Sequence, residues 1–154
     1  MGQQQLLLVI LVTILVGIAT VVAINTFGSS NVNANRDAVR NDIAAIATAA
    51  QAWYIKPGML GGGNNSFDGS TMNPAGSGLT FRQIGFAAET ISEDGLTATN
   101  LNGTYELTIA AQSITVVATP SSNPSADQAI EITGTIVPNG LTLAETNVVA
   151  EVPS

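Results

Sequence analysis

The chain predicts an α+β fold: a long N-terminal helix, its apolar first half protruding, packed by its second half on a small antiparallel β-sheet head. Three observations predict it. No charged side chain precedes Arg36, and Leu6 to Ile24 is apolar apart from Thr13, Gly17 and Thr20. An amphipathic helical stripe then runs as far as Trp53. From Tyr105 onward apolar residues alternate with polar ones at the strand period.

Leu6 to Ile24 spans nineteen residues, fourteen of them Leu, Ile or Val: Leu6, Leu7, Leu8, Val9, Ile10, Leu11, Val12, Ile14, Leu15, Val16, Ile18, Val21, Val22 and Ile24. As a helix this reaches roughly 28 Å, about one hydrocarbon thickness. At about −0.3 to −0.6 kcal/mol per aliphatic residue it favours a bilayer by several kcal/mol. A secretory signal would carry basic residues before the apolar run, and Met1-Gly2-Gln3-Gln4-Gln5 has none. An ordinary membrane anchor is the plain reading. A helix that rests in the membrane and later packs against copies of itself is the sharper one.

Asn25 to Asn35 are poor helix formers and predict a kink or local melting near residues 25–33, unless Gly17 supplies the irregularity. Val39, Ile43, Ile46, Ala50 and Trp53 then fall on one helical face and are the expected contact with the sheet. Lys56-Pro57-Gly58 ends the helix. Fully helical, residues 1–55 would span about 80 Å, more than a compact domain of this length can bury. Part of the helix needs partners elsewhere.

The remaining elements follow in order. Met59 to Gly78 is loop-like, and Gly61-Gly62-Gly63 reads as a flexible connection, lacking the lysine of a phosphate loop. Leu79 to Ala88 is ambiguous between helix and strand. Tyr105, Leu107 and Ile109 with Ile114, Val116 and Ala118 form a hairpin. Pro120 to Ala126 is a loop. A third strand covers Ile130, Ile132 and Ile136 around Gly134, and Leu141 and Leu143 start a fourth after Pro138-Asn139-Gly140. The organisation is thus an apolar segment, residues 1–35, and a head, 36–154. The head comprises an amphipathic helix (36–56), a loop (57–78), a sheet region (79–143) and a weakly patterned tail (144–154).

Composition narrows function. Lys and Arg number 4 against 11 Asp and Glu, for a net charge of −7, which disfavours a nucleic-acid partner. The chain has no Cys and no His. That removes disulfides, thiolate metal centres and the commonest general base. No Gly-x-Ser-x-Gly nucleophile motif occurs, so no enzyme, cofactor or metal is expected. Glu89, Glu93 and Asp94 match no calcium loop and read as solvated. Trp53, Tyr54 and Phe27 read as core packing. Asn64 and Asn102 begin N-glycosylation patterns, a weak signal, with O-linked sugar on the abundant Ser and Thr equally open.

With the Gln5-Leu6-Leu7-Leu8-Val9-Ile10 start, the unbroken apolar run, the amphipathic continuation Asp37 to Tyr54 and the strand pair closing on Thr119-Pro120, the chain resembles a bacterial type IV pilin. The resemblance covers the first 55 residues closely and the rest loosely. It implies a helical homopolymer at the cell surface, serving adhesion or motility, whose subunits reside in the inner membrane before assembly. It also implies a prepilin peptidase, methylation at Met1, and an assembly machinery as partners.

Two departures stand out. With Met1 as the mature first residue, Gln5 occupies the position where pilins usually carry a glutamate that pairs with a neighbour's terminal amine. The proline common near residue 22 is missing. Arg36, Asp37, Arg40 and Asp42 read as solvated charges, with pairing between subunits as the sharper alternative. A pseudopilin of a type II-like secretion system and an archaeal pilin or archaellin are the rival assignments.

Overall fold

A computed structural model of the chain describes residues 2–70, 78–124 and 128–149. Met1 and residues 71–77, 125–127 and 150–154 lie outside the described residues, and with them the ends of the expected loops over 57–78 and 120–126. The architecture is α+β: one helix, α1 (Gly2–Ile55), followed by six antiparallel strands. They are β1 (Thr90–Ile91), β2 (Thr97–Thr99), β3 (Gly103–Ala110), β4 (Ser113–Pro120), β5 (Gln128–Val137) and β6 (Gly140–Val149). Each strand pairs with the next, giving the sheet order β1-β2-β3-β4-β5-β6.

α1 is continuous for 54 residues, about 81 Å at helical rise. The interruption expected over residues 25–33 or at Gly17 is corrected: both are helical. No proline removes an N–H there. The polar side chains bond back into their own helix, Thr26 Oγ1 donating to the Val22 carbonyl and Ser29 Oγ to that of Thr26.

The helix ends where proline predicts, and the next turn closes it. The N–H groups of Gly63, Asn64 and Asn65 donate to the carbonyls of Trp53, Lys56 and Tyr54. These carbonyls would otherwise be orphaned at a helix C-terminus. Gly62 and Gly63 are therefore a packed cap rather than a flexible connection, and Gly61 supplies the left-handed turn before them at φ +76°. A Cβ on Gly62 would sit 2.3 Å from the Lys56 carbonyl oxygen, and one on Gly63 2.5 Å from Trp53 Cζ3.

The helix's second half lies on β4 and β5. Val39, Ile43, Ile46, Ala47, Ala50, Trp53 and Tyr54 are buried against Tyr105, Leu107, Ile114, Val116, Ala118, Ile130, Ile132 and Ile136. Leu79 and Phe81, in the segment that was ambiguous, belong to a turn whose side chains plug this core, and Phe67 stacks on Tyr54 at 4.6 Å.

At Gly134 helix and sheet approach too closely for a side chain. The glycine sits in β5 opposite Leu143, and a Cβ there would lie 2.6 Å from Ile43 Cγ2. Gly134→Val is expected to destabilise the full chain by about 2–3 kcal/mol, the cost of overpacking a closed core. Thermal denaturation in detergent micelles measures it.

The opposite sheet face is polar through hydroxyls. Register places Thr90, Thr99, Thr104 and Thr119 in one cross-strand row, and Thr108, Thr115, Thr135 and Thr142 in another. Thr99 and Thr104 hydroxyls are 3.3 Å apart.

Three elements differ from the sequence expectation. β6 runs to Val149, so 144–149 is strand rather than weakly patterned tail. It pairs with β5 through ten residue pairs without a break. The β1–β2 hairpin was not expected. Its signal was Asp94-Gly95, turn chemistry at the hairpin tip, with Gly95 at φ +76°.

Candidate functional site

The feature that departs most from a soluble domain is the apolar half of α1. The head closes its own core, yet all fourteen aliphatic side chains from Leu6 to Ile24 are exposed, from 47% for Val12 to 69% for Leu7. None of this stretch is covered by the head, and it is long and apolar enough to cross a membrane. Gln5 lies exposed at its start. Phe27, expected in the core, projects from the same rod and is 71% exposed. Burying so many aliphatic side chains is favourable by about 1.5–3 kcal/mol each, tens of kcal/mol in total. Among the described residues no surface supplies that cover.

A collar of hydrogen bonds holds the rod to the head. Asp42 Oδ2 accepts from Asn100 Nδ2 at 3.0 Å, Asn102 Nδ2 at 2.8 Å and the Tyr105 hydroxyl at 2.5 Å. Two turns earlier, Asn35 Nδ2 donates to the Asn102 carbonyl at 2.9 Å, and Asn35 Oδ1 accepts from the Ser122 N–H at 3.0 Å. Burial alone would raise the Asp42 carboxyl; the bonds from Asn102, Tyr105 and Asn100 outweigh it and hold the group below its ordinary 3.8. Tyr105, buried and bonded to that carboxylate, is pushed well above the usual phenol range.

The charges considered for contacts between subunits are engaged within the chain. Arg40 pairs with Glu145 on β6 and, at 3.0 Å, with Asp37. Arg36 Nε stands 3.4 Å from Glu145 Oε1. Asp42 is committed to the collar. Glu145, assigned to the tail by sequence, is the acid that gathers both arginines. Reversing Arg40 alone, as Arg40→Glu, is expected to lower the melting temperature by about 3–5 °C, since half-exposed pairs contribute at most about 1 kcal/mol. Arg40→Glu with Glu145→Arg restores most of it, and calorimetry of the three variants reads the coupling.

Asn102 is corrected as a glycan site: its amide nitrogen is the donor to Asp42, so a sugar there would break the collar. Asn64 is exposed in the left-handed region, with φ +50°. Glu89, Glu93 and Asp94 are exposed, and Asp94 closes the β1–β2 turn by accepting from the Ser92 hydroxyl and the Leu96 N–H. Sequence reasoning missed the collar. Asp42 lies on the expected helix and Tyr105 on an expected strand, but Asn100 and Asn102 sit in an unpatterned stretch, and nothing in the spacing brings them to Asp42.

Comparison with family models, curated proteins and solved structures returns no match. The functional reading rests on the rod, the collar and the head.

Proposed function

We propose that the chain is the structural subunit of an extracellular helical filament of the type IV pilin class, assembled by mutual burial of its apolar rod. One observation carries the reading: an uninterrupted helix whose fourteen aliphatic residues stay exposed beside a head with a completed core. Such a rod is at home in lipid, and on leaving it finds cover only among identical rods. Packing of the rod against other parts of sister copies, head to tail, does not close on itself and so propagates as a helix. The rods form the core, and the heads form the wall with their threonine rows outward. Before assembly the same segment holds the subunit in the inner membrane. A processing peptidase and an assembly machine are the partners this implies, with Met1 the expected methylated terminus.

Gln5 makes the contact at the subunit terminus differently from a glutamate. Its amide oxygen accepts from a neighbour's ammonium without burying a carboxylate, contributing about 1 kcal/mol net. The decisive experiment is negative-stain microscopy of material sheared from the cell surface, with mass spectrometry of the subunit N-terminus. Fibres containing this chain are the expected result. A chain recovered only as a dispersed membrane protein overturns the proposal.

A further inference from the structure

The head carries two exposed apolar features at opposite ends. At the end far from the rod, Ile55, Met59 and Leu60 are 72%, 100% and 67% exposed. At the rod end, Leu101 forms the tip of the β2–β3 turn and is 88% exposed. That tip is held firmly. Asn100 Oδ1 accepts from the N–H groups of Asn102 and Gly103, Ser121 Oγ donates to the Leu101 carbonyl, and the collar ties Asn100 and Asn102 to the helix. A rigid turn presenting a leucine to solvent gains nothing for the isolated chain. A lone exposed leucine is ordinary, but Ile55, Met59 and Leu60 are exposed together within six residues, and grouped apolar exposure of that kind marks contact surfaces.

The charges at the two ends complement one another. Lys56, the only lysine of the chain, is exposed, whereas at the rod end Asp37, Asp42 and Glu145 outnumber Arg36 and Arg40 by one, and Asp37, though paired to Arg40, stays 70% exposed.

We infer that these two ends bind each other between successive copies: Leu101 of one head seats against Ile55, Met59 and Leu60 of another, with Asp37 facing Lys56 across the contact. The inference rests on the filament reading, and its geometry follows from lengths in the chain. The rod from Gly2 to Ala34 is about 50 Å long, and the head-bound part of α1 about 30 Å. A subunit whose rod runs down past its neighbours therefore presents the rod end of its head to the far end of the heads beneath. Unlike ends meeting in one direction satisfy an open, polar polymer.

The absence of cysteine makes the contact directly testable. In filaments assembled from Leu101→Cys/Met59→Cys subunits, mild oxidation with copper phenanthroline is expected to give a ladder of covalent multimers on a non-reducing gel. Each single-cysteine variant gives no product beyond a dimer. Leu101→Asp reads the same contact independently: filament yield falls about tenfold or more, the melting temperature of the subunit is unchanged, and Met59→Lys in the same chain restores yield. Wild-type-like filaments with no ladder, or an unaltered yield from Leu101→Asp, overturn the end-to-end contact alone. Absence of filaments from the wild-type chain overturns the reading on which it rests.

Discussion

Leu8→Asp or Val12→Asp is expected to abolish filaments while leaving the subunit in the membrane. Leu8 and Val12 lie one helical turn apart, both exposed in the single chain and both within the apolar rod. In a filament core each aspartate would have to shed its water, at a penalty of several kcal/mol per ion with no cation nearby to offset it. The penalty recurs in every subunit, so it multiplies along the polymer. In the bilayer a single aspartate costs about 2.5–3.5 kcal/mol, which the remaining aliphatic residues outweigh. The measurement is microscopy of sheared surface material alongside an immunoblot of the membrane fraction. Normal filaments in either variant would contradict a buried apolar core.

Asp42→Ala is expected to be the most damaging single change in the collar, at about 3 kcal/mol. It leaves the Tyr105 hydroxyl, on a side chain with no exposure, without its acceptor, and it frees the two asparagines that pin the β2–β3 turn. A pH dependence follows from the same contact. The folded state holds the Asp42 carboxyl below its ordinary 3.8, so it binds fewer protons than the unfolded chain as acid is added. Stability from this group is present above that ordinary value and is lost as pH falls through the lower folded one. Asp68 adds to the same window: its hydrogen bonds from Ser66 and Ser70 hold it to about 2. Denaturation of the full chain in detergent, compared with Asp42→Asn, should show a gap that is widest near neutrality and narrows as pH falls through and below the ordinary 3.8. A gap independent of pH would show that the carboxylate charge contributes nothing.

Much of this was legible in the chain. Hydrophobic period alone located the helix, its buried face from Val39 to Trp53, and four of the six strands, because side chains repeat on a helix or alternate on a strand whatever lies beyond. The exposed rod was legible from arithmetic, being too long and too greasy for so small a head. What failed was the reading of polar and glycine-rich stretches. Asn25 to Asn35 have weak helical propensity, but a helix anchored at both sides carries them through. Gly61-Gly62-Gly63 resemble a linker, yet bare backbone is needed at Gly62 and Gly63 because Lys56 and Trp53 leave no room for a Cβ.

Sequence by itself determined the division into a water-averse rod and a sheet-backed head, since that division rests on which side chains avoid water, a property each residue carries with it. Only the tertiary structure decided how rod and head are fastened. Asp42 meets Asn100, Asn102 and Tyr105 across about sixty residues of chain, and Glu145 reaches back to Arg36 and Arg40. Hydrogen bonds and ion pairs are directional and short-ranged, so partners so distant in the chain are chosen by strand register and helix placement, which no local pattern encodes.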